Sequence, residues 1–221
     1  MNRFVTGLLA LFVLSVPAAA FDPAAVATLL ATKNCLGCDL VEADLAGAEL
    51  EGAFIPDVKL AGADLTGANM IRAYLLFGQL MATDLTGADL TDANLETVNM
   101  ADAIFANAVL VDASLINSTA SRAVFDGANL TGANLSRLNL RGGSAVGADL
   151  SGTTLTNTSF GNANLTGAVL RGAMIDRASF SGTNLTDADL TGATVTGVDF
   201  TVAILCRTTM PDGTVSNAGC P

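Results

Sequence analysis

Every fifth residue from Leu40 to Leu205 is Leu, Ile, Val, Met or Phe, broken only by Ala120 and Ala145, and the register never slips. A period of five fits neither the 3.6 residues of a helical turn nor the two-residue alternation of a strand. An internal repeat this short, sustained over most of a chain, specifies a solenoid whose turns stack and bury one continuous core. No part of the repeat itself is chemistry.

A longer period is written over the short one. Two residues before each apolar centre, the series 48, 68, 88 and onward to 188 is always Ala. The series 53 to 193 is Ala except at Thr153. The series Cys38, Val58, Gly78, Val98, Ser118, Leu138, Thr158, Ala178 and Val198 almost never is. This variation recurs every 20 residues, so four pentapeptides close one turn and one side of the coil packs differently from the others. Large and small inward side chains in alternation can fill a narrow square interior at native density. The Thr, Asp, Asn and Gly at the remaining positions suit tight corners.

Units such as Ala63-Asp64-Leu65-Thr66-Gly67, Ala88-Asp89-Leu90-Thr91-Asp92 and Ala128-Asn129-Leu130-Thr131-Gly132 resemble those of the pentapeptide repeat family. The resemblance implies an all-β fold, a right-handed quadrilateral β-helix over residues 38–205. It would have about eight and a half coils stacked about 4.8 Å apart, a rod on the order of 40 Å long. Phe160, Phe180 and Phe200 share one column and should stack as rings.

Four segments follow. Residues 1–20 read as a secretory signal peptide, with Arg3, an apolar run from Phe4 to Val16 and the small Ala18-Ala19-Ala20 before a cleavage point. The apolar run is too short for a comfortable membrane span. Residues 21–37 hold a short N-terminal capping helix and a cysteine motif. Asp22 would be the N-cap and Pro23 the first helical residue, with Val26, Leu29 and Leu30 on the side covering the first coil. After the repeats at 38–205 comes a tail, 206–221, containing the turn Pro211-Asp212-Gly213. In an exported chain the even set Cys35, Cys38, Cys206 and Cys220 is read as disulfides. A bridge spans Cα atoms no more than about 7 Å apart, and the rod keeps its ends much farther apart. The pairs are therefore Cys35–Cys38 and Cys206–Cys220, one at each end.

The same separation excludes a four-cysteine zinc site. Haem attachment is excluded too, because Cys35-Leu36-Gly37-Cys38 is followed by Asp39 and the chain has no His. No cofactor or metal is expected. Without His the commonest general base is missing, and the many Ser and Thr have no base partner. The expectation is that the chain is not an enzyme. Asp44, Asp64 and Asp84 fall on one outward column, close enough for mutual repulsion to raise their pKa values. A solvated acidic face is favoured there over a calcium ladder, since calcium needs six to eight oxygens.

Between residues 21 and 116 there are 14 acids against Lys33, Lys59 and Arg72, whereas 117–221 holds seven acids against six arginines. An acidic half repels nucleic acid and anionic membrane surfaces and favours a basic partner. One stretch breaks the polar rule on the outside: Phe54, Ile71, Tyr74, Leu76, Phe77 and Met81 sit at outward or corner positions. Contiguous exposed apolar surface marks an interface. The reading is a non-catalytic exported scaffold or protein-interaction rod, periplasmic in preference to extracellular. It would bind an unknown protein partner or self-associate, with no nucleic acid partner and no stable membrane anchor after signal cleavage. The alternative comes from the resemblance. Some family members mimic B-DNA and bind DNA gyrase, a role open to this chain only if it is cytosolic.

Overall fold

The computed structural model describes residues 21–220; the expected signal peptide lies outside them. Most pentapeptides share one local geometry. Leu60 is buried, Ala63 is buried, and the Ala63 N–H donates to the Leu60 carbonyl at 2.9 Å, closing a four-residue turn. The residue between them, Gly62, has φ of 68°. Positive φ recurs at every fifth residue from Gly37 to Gly197, on glycines and on seventeen non-glycine residues that include Arg72 and Phe77. Glycine adopts this conformation freely, while Asn and Asp tolerate it.

Successive turns are tied by parallel backbone bridges between residues 20 apart, from Asn34↔Phe54 to Asp189↔Thr209. Four columns of bridges define four faces. The first begins Asn34, Phe54, Tyr74; the second Asp39, Lys59, Gln79; the third Asp44, Asp64, Asp84; the fourth Glu49, Asn69, Asp89. The apolar centres from Leu40 to Leu190 are all buried in one cluster with the small residues two positions before them. Fully burying each such Leu or Phe contributes roughly 1.5–3 kcal/mol.

Two ring columns run through this core. Phe160 and Phe180 stack at 5.1 Å between centroids, and Phe200 continues the column at 5.2 Å with a 35° tilt. In the adjoining column Phe105 and Phe125 stack nearly parallel at 4.6 Å.

The corner between the first and second faces is the irregular one. Its inward residues are Val58, Gly78, Val98, Ser118, Leu138, Thr158 and Ala178, and at Val58, Val98 and Ala178 the direct turn bond is missing. At Val98 a side chain replaces it. The Ser118 hydroxyl from the next coil accepts from the Val98 N–H at 3.0 Å and donates to the Leu95 carbonyl at 2.6 Å. Elsewhere buried hydroxyls supplement an intact turn: Thr158 donates to Leu135 O, Thr183 to Phe160 O and Thr208 to Leu185 O.

Helix α1 (Pro23–Thr32) precedes the coils. The Asp22 carboxylate accepts from the Ala24 N–H at 2.9 Å, Pro23 opens the helix, and Lys33 ends it with φ of 55°. Leu29 is fully buried in the solenoid core, with Phe21, Ala25 and Val26 packed around it. Leu30, expected on the same side, instead faces solvent at 49% exposure. One residue is about a 100° turn of the helix, so with Leu29 pointing straight into the first coil Leu30 is carried round to the helix flank.

At the other end short strands β1 (Met174–Asp176) and β2 (Thr194–Thr196) pair in parallel on the first face. A 3₁₀ turn follows at Phe200–Val202. Strands β3 (Leu205–Thr209) and β4 (Val215–Ala218) form an antiparallel hairpin. The coil ladder runs past the last apolar centre into β3, since the Leu190 N–H still donates to Thr209 O at 2.8 Å. The centres Val195 and Phe200 are only partly buried, whereas Leu205 on β3 is buried again.

Candidate functional site

The sequence-predicted patch resolves into one strip and one outlier. Phe54 and Tyr74 stack on the outside of the first face, ring centroids 5.1 Å apart and planes 15° from parallel. Leu76 and Phe77 occupy the corner that leads to the second face, and Ile71 the corner on the opposite side. Met81, 40% exposed, lies beyond the second face, with Lys59 and Gln79 between it and the strip. The sequence reading missed Leu36. It stands on the same corner two coils below Leu76 and is 70% exposed. The signal was available in the 20-residue spacing from Leu36 through Pro56 to Leu76.

Phe77 is the unusual member. Its φ is 63°, and among the described residues it is the one aromatic side chain at a left-handed corner. Bulky residues there are strained by Cβ crowding, at roughly 1–2 kcal/mol. The Phe77 N–H reaches Glu96 O at 3.3 Å, longer than the corner bonds on either side, Asp57 to Leu76 and Thr97 to Ile116, both 2.9 Å. Yet the ring remains 48% exposed, as Phe54 does at 47%. Strain and exposure together leave packing a poor explanation for a phenylalanine at this position.

Charge is unevenly matched around the strip. On the corner beside Ile71, the Glu51 carboxylate is met by Arg72, while the Lys33 ammonium donates to the backbone carbonyl of Glu51 at 3.3 Å. On the corner carrying Phe77, Asp57 and Glu96 have no cationic partner among the described residues. Lys59 is engaged by Asp39 at 3.3 Å.

Asp44, Asp64 and Asp84 do stack on the third face, as expected. Their carboxylates are occupied by the backbone. Each accepts from the N–H two residues on, in Ala46 at 3.2 Å and in Thr66 and Thr86 at 2.9 Å. The expected upward pKa shift is not found at Asp64. The Thr66 backbone N–H, and then its hydroxyl, hold that carboxyl below the usual range. Asn69, Asp89, Asn94 and Asn129 make the same turn. Asp and Asn are thus chosen for corner geometry, which accounts for the ladder without a ligand. Among the described residues no group of His, Cys, Asp or Glu is placed to hold a metal ion.

The cysteines lie in two close pairs. Cys35 occupies an inward centre one unit ahead of Leu40, with its Cα 5.6 Å from that of Cys38. Cys206 on β3 and Cys220 beyond β4 have Cα atoms 4.6 Å apart. Both separations suit a disulfide.

Comparison with known proteins agrees with this geometry. The model of pentapeptide repeats matches in eight copies between residues 38 and 218. The chain belongs to the pentapeptide repeat family. That membership, with its solved structures, implies the right-handed quadrilateral β-helix for the 20-residue ladder. One similar structure is HetL, a pentapeptide repeat protein involved in heterocyst differentiation regulation from the cyanobacterium Nostoc sp. strain PCC 7120. It is 29% identical over 86% of this chain and 97% of its own, with a TM-score of 0.50. Another is QnrB1, a plasmid-mediated fluoroquinolone resistance protein. It is 21% identical over 70% of this chain and 78% of its own, with a TM-score of 0.59, a likeness of fold alone. No curated protein sequence matches the chain.

Proposed function

We propose that this pentapeptide repeat protein is an exported, non-catalytic rod that binds another protein through the strip of Leu36, Phe54, Tyr74, Leu76 and Phe77. The carrying observation is Phe77, an exposed aromatic held in a left-handed corner where smaller or polar residues stand on other coils. Strained residues with no packing return are placed at functional surfaces. The regular coil ladder on either side supplies a rigid mount, which lowers the ordering cost of binding. Export rests on the signal-like residues 1–20, and in an oxidising compartment both cysteine pairs would close as disulfides. The Cys35–Cys38 bridge would brace the loop that presents Leu36.

The test is photo-cross-linking in cells that make the protein naturally. A benzophenone amino acid replaces Phe77 in one variant and Val124, on the third face, in another. A discrete adduct to a second polypeptide from position 77, absent from position 124, supports the reading. Equal adducts from both sites, or none from position 77, would remove it.

A further inference from the structure

The kind of partner can be narrowed, on the reading that the strip is the binding surface. The corner of the strip alternates apolar and acidic groups along the rod. Asp57, Phe77 and Thr97 are stacked at its left-handed position, and Leu76 is followed one coil on by Glu96. Asp57 is exposed and makes no side-chain hydrogen bond among the described residues, while the Glu96 carboxylate accepts only from the Ser114 hydroxyl, at 2.8 Å. By contrast, Asp39, Glu51, Asp102 and Asp187 have their own cations. The strip therefore combines apolar surface with carboxylates that nothing in the chain neutralises. Long cationic side chains fit such a surface, because their stems cover apolar groups while their heads seek carboxylates.

We propose that the strip binds a basic, amphipathic segment of another protein, whose arginine or lysine stems lie on Phe54, Tyr74 and Phe77 and whose charged heads pair with Asp57 and Glu96. A second copy of the chain fits less well. Each carries a net charge of −11, concentrated in the half that holds the strip, and of the six arginines in the other half Arg122, Arg171, Arg177 and Arg207 are already paired with aspartates, which leaves Arg137 and Arg141. The same charge disfavours nucleic acid and anionic lipid.

The chain supplies its own reporter: Tyr74 is the sole tyrosine and there is no tryptophan. The mature protein is titrated with a synthetic peptide of alternating arginine and leucine, with its citrulline counterpart and with its glutamate counterpart, while tyrosine fluorescence is followed. The expected result is a saturable change with the arginine peptide and binding roughly tenfold weaker with citrulline. Binding of the arginine peptide should weaken as salt rises and in Asp57→Asn and Glu96→Gln, two surface changes that leave the core intact and whose melting curves verify folding. Equal affinity for the arginine and citrulline peptides would overturn the cationic assignment while leaving the strip an interaction surface. Preference for glutamate, or no saturation with any peptide, would overturn the inference outright. Cross-linking from position 77 then judges the interaction reading separately.

Discussion

Replacing Ser118 with Ala tests the packing of the irregular corner more sharply than any other single change. The Ser118 side chain is 2% exposed, and its hydroxyl stands where the Leu95–Val98 turn bond would otherwise run. Removing it strips partners from two interior groups, the Val98 N–H and the Leu95 carbonyl. Leaving a buried polar group unsatisfied costs about 1–3 kcal/mol. Some of the loss is recovered if the turn relaxes and Val98 N–H finds Leu95 O directly, so the net cost is set at about 2–3 kcal/mol. Thr158→Val is the matched control. Its hydroxyl also donates to a buried carbonyl, but Leu135 O keeps a second donor, the Leu138 N–H at 3.0 Å. That change should cost only about 1 kcal/mol. Urea unfolding followed by circular dichroism gives the two midpoints, and amide exchange at Val98 reads the turn itself. Long repeat arrays can depart from two-state unfolding, so exchange is the decisive readout. If Ser118→Ala is no more destabilised than Thr158→Val, and Val98 exchanges at the parent rate, the inserted hydroxyl is not holding the turn.

Other perturbations follow from the same geometry. Gly143→Ala would set a Cβ 2.7 Å from the Ala123 carbonyl and 2.6 Å from Leu140 Cδ1, so thermal unfolding should show a loss of about 1–3 kcal/mol. An unchanged melting curve would contradict it. Phe77→Gly relieves left-handed strain but loosens the unfolded chain and removes a half-buried ring, so stability should stay within about 1 kcal/mol. The buried Phe125→Ala should lose about 3–5 kcal/mol, and equal losses at the two sites would show that Phe77 is a packing residue. The Arg122 guanidinium holds Asp102 below the usual carboxylate range, and Arg207 does the same for Asp187. Because these folded-state values are depressed, the stabilisation is present above the unfolded carboxylate pKa near ~4 and is lost as pH falls below it. Asp102→Asn should therefore melt slightly below the parent at pH ~6, a small difference because the pair is exposed, and the gap should narrow steadily as pH falls from ~4 through the depressed folded value. A gap that does not change with pH would contradict the assignment.

The coil was legible because its signal is redundant. Leu40 through Leu205 each state the same inward position, and the Ala series beneath them fixes the 20-residue turn. Ring stacking of Phe160, Phe180 and Phe200 followed from spacing alone. What spacing does not carry is side-chain geometry around a corner. Met81 shares the sequence neighbourhood of Phe77 yet sits a full face away. Leu36 is distant in sequence from Leu76 yet shares its corner. Asp64 looked like a charge under repulsion until its backbone donor, Thr66, was placed beside it. Ser118 stood out as an exception to the Ala rule, but its exchange of a turn bond for a hydroxyl bridge depends on coil-to-coil distances that no one-dimensional pattern contains. Leu30 fell off the buried face because tertiary packing centres the contact of α1 on Leu29, with Phe21, Ala25 and Val26 beside it.

The most direct test of an exported rod closed at both ends is the non-reduced intact mass of the protein recovered from fractionated native cells. A periplasmic or secreted species beginning at Phe21, lighter by two hydrogens for each cysteine pair, is the result expected. A cytosolic, full-length species with all four cysteines reduced would contradict export and both bridges. It would make the alternative, an acidic DNA-mimicking rod in the cytosol, the reading to test next.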